Sequence, residues 1–309
     1  MPARSSSDPL AATRAPRSGT ALLVLAGLLW GTGGLAGSLL AASAGLHPVA
    51  VAAYRLLTGG ALVTAFAAVT GRIRPVPRTR AAVTRVAGAG ALLALFQTAY
   101  FAAVETTSVG LAALITMVAS PVLVTTCSAV IDRRPPTPRT AGAVLVAVAG
   151  LVLLLGSPAT AGGSRIAGAG LALLAAAGFT VLTLDRRAPL PGLDQVTATG
   201  LGFLAGGLLL LPAGLATGMT LPPRADAVGA LVFLGLVPTA VAYTGYFAGL
   251  RRTGPAAAVV AILLEPLTAT LLAVLLQHER LDGGQTLGAL LVLVSIGVQQ
   301  APVKAAATR

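Results

Sequence analysis

Between Gly254 and Leu276 the chain reads GPAAAVVAILLEPLTATLLAVLL, and Glu265, beside Pro266, is the only charge in the run. A helix of that length, rising ~1.5 Å per residue, crosses a ~30 Å hydrocarbon core and sets Glu265 ~17 Å from its start, near the midplane. A carboxylate at that depth costs several kcal/mol unless it meets protein, a partner charge or water, so it marks a pathway or a site. The matching cation is Arg55, inside the apolar run 48–70. Helix rise puts Arg55 ~10 Å and Glu265 ~13 Å below the same membrane boundary. Two chemistries fit. One is a structural ion pair tying the two runs together. The other is a divided clamp for a zwitterion, with Arg55 taking a carboxylate and Glu265 an ammonium. In a third reading Glu265 carries a coupling proton.

The uncharged polar residues add two helical faces. Thr239, Tyr243 and Tyr246 fall at i, i+4 and i+7, and Gln97 and Tyr100 share a face of an earlier run. They are expected to line the inner and outer mouths of one path. Tyrosines near span ends also belong to interfacial belts, a reading that glutamine does not share. Trp30 lies mid-run among Gly27, Gly31, Gly33 and Gly37, so it presents a flat wall to substrate or fills space between close-packed helices. Pro121 and Pro266 each free a backbone carbonyl near mid-depth and are expected hinges. Glu105 and Glu279, at span ends, read as solvated turn charges.

Those residues need a membrane scaffold to position them. The chain is 56% hydrophobic and 10% charged, with a mean hydropathy of +0.88, which places it in the membrane class. One cysteine, Cys127, and two histidines exclude a disulfide framework and argue against a protein-built zinc site. The sole lysine, Lys304, stands outside any phosphate-loop pattern. No catalytic residues, cofactor or metal are expected. The net charge of +12 encodes orientation rather than nucleic-acid binding. Ten apolar runs follow one another at about 20–42, 48–70, 81–104, 109–130, 140–156, 166–184, 195–217, 226–250, 254–276 and 285–300. With the N-terminus inside, 17 of the Lys and Arg side chains fall in cytoplasmic segments, counting Arg85 at the cytoplasmic end of its run, and 3 in outer loops, with Arg55 alone deep inside a run. That asymmetry predicts a multi-pass protein of the cell membrane with both termini cytoplasmic.

The runs are also duplicated. Ala99-Tyr-Phe-Ala102, Thr107, Pro121 and Gly142 return as Gly245-Tyr-Phe-Ala248, Thr253, Pro266 and Gly288, offset by 145 or 146 residues. Five spans per copy force the second copy to be inverted. The fold class expected is therefore an all-α integral membrane protein with ten transmembrane helices as two inverted five-helix repeats. Residues 20–157 and 164–300 are the repeats, residues 1–19 a disordered cytoplasmic tail and 301–309 a cytoplasmic C-terminal tail. The partners are the lipid bilayer, a small-molecule substrate and, if transport is coupled, protons.

In this order the motifs Leu29-Trp-Gly31, Pro48 with Ala53-Tyr-Arg55, Tyr100-Phe-Ala102 before Pro121, Leu264-Glu-Pro266 and His278-Glu-Arg-Leu281 before Gly288 and Gly297 resemble the drug/metabolite transporter superfamily, specifically its EamA-type members. The resemblance covers about residues 20–300. It implies an inner-membrane permease, commonly an exporter of amino acids or other small metabolites. Multidrug efflux is the alternative within transport, and a non-transporting scaffold or accessory subunit the alternative outside it. Counting back nine from Gly142 gives Arg133 where the second copy has Glu279, so the family's acidic residue is absent from the first. The buried glutamate of small multidrug exporters is absent from the first span.

Overall fold

A computed structural model describes residues 17–73, 76–155, 163–185, 190–253 and 259–300. Nearly all of both expected tails, the linker near 158–162 and Arg186 and Arg187 lie outside the described residues. Among the described residues every regular element is helical, as lipid demands, since a helix satisfies its own backbone polar groups. The helices are α1 (Arg17–Ala44), α2 (Pro48–Val69), α3 (Arg80–Thr106), α4 (Val109–Ile131), α5 (Pro138–Leu155), α6 (Gly163–Asp185) and α7 (Gln195–Ala216), then α8 (Ala225–Thr253), α9 (Val259–Leu276) and α10 (Gly283–Gln300). Seven of these are long and apolar enough to cross a membrane. The apolar stretches Pro138–Leu153, Leu264–Leu276 and Gly283–Ser295 are shorter among the described residues.

Local sequence sets the helix starts. Pro48 occupies the first turn of α2, and His47 Nδ1 accepts from the Val49 amide. Thr79, Ser108 and Asp194 cap α3, α4 and α7 through their side-chain oxygens. The α8 helix is α-helical over Ala225–Gly235 and Ala242–Thr253 but carries a π-helical turn at Leu236–Val241. Pro238 within that turn has no backbone N–H to give, and π turns of this kind gather at functional sites.

Packing follows a pairwise pattern. Helix α2 lies against α7 and α5 against α10, α3 packs on α6 and α7, α1 on α8 and α9, and α4 on α6 and α9. Small residues permit the closest of these contacts. At Gly31 an added Cβ would stand 2.7 Å from the Glu265 carbonyl oxygen and 2.5 Å from Thr268 Cβ, so α1 and α9 touch backbone to backbone beside Glu265. At Gly59 of α2 an added Cβ would overlap the Thr239 side chain in the π turn. Gly59→Ala is accordingly expected to destabilise the fold by about 1–3 kcal/mol, the usual cost of overpacking. Thermal unfolding in detergent reads the loss as a lower midpoint, and an unchanged midpoint contradicts the tight α2–α8 seam.

Candidate functional site

Arg55 is the centre of the buried polar residues. It projects from α2, is 8% exposed, and donates from Nε to Thr239 Oγ1 at 3.4 Å and from Nη1 to Gln97 Oε1 at 3.3 Å. Its guanidinium lies 5.8 Å from the Phe101 ring centroid and so close to Gly33 that a Cβ there would stand 3.1 Å from Nη2. Gln97 and Thr239 are themselves fully buried. The Thr239 hydroxyl also donates to the Leu234 carbonyl at 2.8 Å, across the π turn. Two neutral acceptors on two different helices thus fix two edges of the guanidinium. Nη2 makes no hydrogen bond to a described residue, although a buried cation ordinarily finds an anion or several acceptors.

Arg55 also lines a narrow cavity, together with Trp30, Phe96, Tyr100, Met117 and Glu265 and small residues of α1, α4 and α9. Glu265 makes no hydrogen bond or ion pair with a described residue. Arg55 and Glu265 line the same space yet stay beyond the 4.0 Å reach of an ion pair. Trp30 Nε1 is a buried donor with no acceptor among the described residues.

The remaining residues singled out by sequence fall around this cavity. Tyr100 lines it, with its hydroxyl packed on Gly34. Gln97 stands behind Arg55 rather than at an outer mouth, and Thr239 likewise. Tyr243 and Tyr246 stack on Trp30, with centroids 5.1 and 4.8 Å away, and join Phe203 and Phe247 in one aromatic cluster. Pro121 interrupts α4 four residues after Met117, whose carbonyl loses its helical donor. Pro266 interrupts α9 next to Glu265. Sequence reasoning missed Phe96 and Met117, which carry no signal beyond their place on apolar helices. It also took Glu279 for a solvated charge, whereas both its carboxylate oxygens accept from the Gly110 amide at 3.3 Å. Left-handed backbone at Arg133 (φ 50°) and His278 (φ 54°) ends α4 and α9 alike. By helix ends, then, Arg134 rather than Arg133 corresponds to Glu279, and the first copy has a base there in either register.

A bundle of apolar helices enclosing a small cavity with unpaired charges of both signs defines a membrane transport protein rather than a soluble receptor. The chain belongs to the EamA-like transporter family, whose profile matches residues 17–156 and again 166–298. It is 31% identical over 286 residues to the "Uncharacterized transporter YwfM" of Bacillus subtilis (strain 168), covering 91% of this chain and 94% of that protein. It is 27% identical over 185 residues to "Protein PecM" of Dickeya dadantii (strain 3937), covering 58% of this chain and 61% of that one. A crystal structure 24% identical superposes with a TM-score of 0.63 over 91% of this chain and 96% of that chain, a likeness of fold. The protein is thus a multi-pass membrane transporter in contact with lipid and a small-molecule substrate.

Proposed function

We propose that the protein is an alternating-access permease that carries a small zwitterionic metabolite such as an amino acid, in the export direction that its family resemblance implies. The observation that carries this reading is the pair of unpaired, opposite charges in one cavity. Arg55 is held by neutral groups with Nη2 free for a carboxylate, and Glu265 is free for an ammonium. A structural ion pair would have consumed both. Trp30, Phe96 and Tyr100 supply the apolar wall for the remainder of the substrate.

The scaffold reading is ten spans in two inverted five-helix repeats with both termini cytoplasmic. Advancing every helix by five turns the α3–α6 contact into α8–α1 and α4–α6 into α9–α1, and returns α2–α7, α4–α9 and α5–α10 to themselves. Such exchange is what a two-fold axis between repeats produces, and the double match of the family profile supports it. The arginine asymmetry supports the orientation. In this orientation the Trp30–Tyr243–Tyr246 cluster closes the cytoplasmic side and Tyr100 with Phe101 the outer side. Pro121 and Pro266 are the hinges.

Purified protein in proteoliposomes tests the substrate class by counterflow of three matched sets: amino acids, their deaminated carboxylates and their decarboxylated amines. A hydrogen bond to a charged group contributes about 1.5–3 kcal/mol, so each one-ended analogue is expected to lose at least about tenfold in apparent affinity. Preference for bulky organic cations would instead favour multidrug efflux, which the aromatic wall also suits. Absence of saturable flux across the panel would favour a scaffold or accessory role.

A further inference from the structure

The turn after α9 joins the two halves of the bundle by a contact that the cavity does not explain. His278 adopts left-handed backbone, with φ 54°, and swings Glu279 across to α4. Both oxygens of Glu279 accept from the amide of Gly110 at 3.3 Å. Gly110 lies in the first turn of α4, where unpaired amides and the helix dipole favour an anion. The fit depends on glycine, since a Cβ at residue 110 would stand 2.7 Å from Glu279 Oε2. In the same turn Gln277 Nε2 donates to Ser38 Oγ of α1 at 2.7 Å. One short segment therefore fastens α9 to both α1 and α4.

Its height is informative. Ser38 lies four residues beyond Gly34 on α1, and Gly110 three residues before Ala113 on α4. Gly34 and Ala113 both line the cavity. At ~1.5 Å per residue the fastening sits ~5 Å to one side of the cavity on both helices. In the orientation proposed above that side is the outer one. A mouth opening there has to part α1 and α4 from the end of α9, and so has to break these bonds.

We propose that the Gln277–Glu279 turn is the latch of the outer gate, closed when Glu279 seats on the α4 N-terminus and Gln277 on Ser38. Its release admits the outward-open state. The inference rests on the alternating-access reading but not on what the cavity binds. Glu279 acts here as a mobile pin rather than as a substrate ligand.

Accessibility tests it without any substrate. In a Cys127→Ser background a single cysteine at Met117, on the cavity wall, reports opening to a membrane-impermeant charged thiol reagent. The reagent is added to intact cells or to inside-out vesicles. Two variants release the pin by different routes. Glu279→Ala removes the carboxylate, and Gly110→Ala keeps it but fills its seat. Both are expected to raise the labelling rate from outside about tenfold, the shift that ~1.4 kcal/mol gives a two-state equilibrium. The rate from the cytoplasmic side should stay level or fall. Size-exclusion profiles matching the parent certify folding of each variant. Unchanged outside labelling in both folded variants overturns the proposal, leaving the turn a plain helix cap. An equal rise from both sides also overturns it, as general loosening.

Discussion

Replacing Arg55 by methionine is expected to weaken substrate binding by at least about a hundredfold while the helices stay assembled. The side chain enters the cavity wall with Nε and Nη1 committed to Thr239 and Gln97, and only its free edge is offered to a ligand. Charge-assisted hydrogen bonds contribute about 1.5–3 kcal/mol each, so losing the two N–H donors of Nη2 removes two or more decades of affinity. Methionine keeps the packing against Gly33 and Phe101 without the charge. Thr239 retains its bond to the Leu234 carbonyl, so one buried acceptor, Gln97 Oε1, is left unmet. That costs about 1–3 kcal/mol and is offset by no longer burying a cation. Lysine at the same position keeps the charge but, as a single-point donor, cannot serve two acceptors and a ligand together. A loss of about tenfold is expected. Calorimetric titration of the detergent-solubilised variants, beside their melting curves, separates binding from folding. Wild-type affinity in a folded Arg55→Met protein contradicts the anion site.

Glu265→Gln is expected to change selectivity rather than abolish recognition. Glutamine fills the same volume in the cavity wall, and the close approach of α1 and α9 at Gly31 runs through the backbone of residue 265, so it is kept. The variant should lose about tenfold or more in affinity for zwitterions and bind the matched deaminated carboxylates at least as well as the parent does, because one of two charge-assisted contacts is gone. The counterflow panel shows this as a crossing of the two substrate series. Uniform loss across both series would mean that Glu265 holds the fold or the transport step. The same variant addresses the coupling proton. If Glu265 carries it, the pH dependence of flux disappears with the carboxylate, and a retained dependence puts the proton elsewhere.

Much of this scaffold can be read along the chain, because lipid leaves few choices. Apolar runs bounded by Pro48, Thr79, Ser108 and Asp194 become helices that start at those residues, and a stretch such as 259–276 has no other way to satisfy its backbone in hydrocarbon. Charges at such depth are rare enough that Arg55 and Glu265 identify themselves by cost alone. Partners are harder to read than positions. Gln97 and Thr239 looked like pathway residues, yet they turn toward Arg55, because a buried guanidinium draws in the nearest acceptors. Nothing in LVPTAV announces a π turn, whose extra residue sets where Thr239, Tyr243 and Tyr246 point. The seat of Glu279 on Gly110 joins residues 169 apart in the chain. It depends on a tertiary approach that no local pattern encodes.

The account comes down to whether Arg55 and Glu265 hold the two ends of one molecule. Cryo-electron microscopy of the protein with the amino acid that the flux panel selects, at a resolution that shows side chains, measures this directly. The prediction is density in the cavity reaching from Arg55 to Glu265 along the Trp30 and Tyr100 walls, with the two side chains still apart. A direct Arg55–Glu265 ion pair with the substrate elsewhere, or Glu265 turned out to lipid, would contradict it.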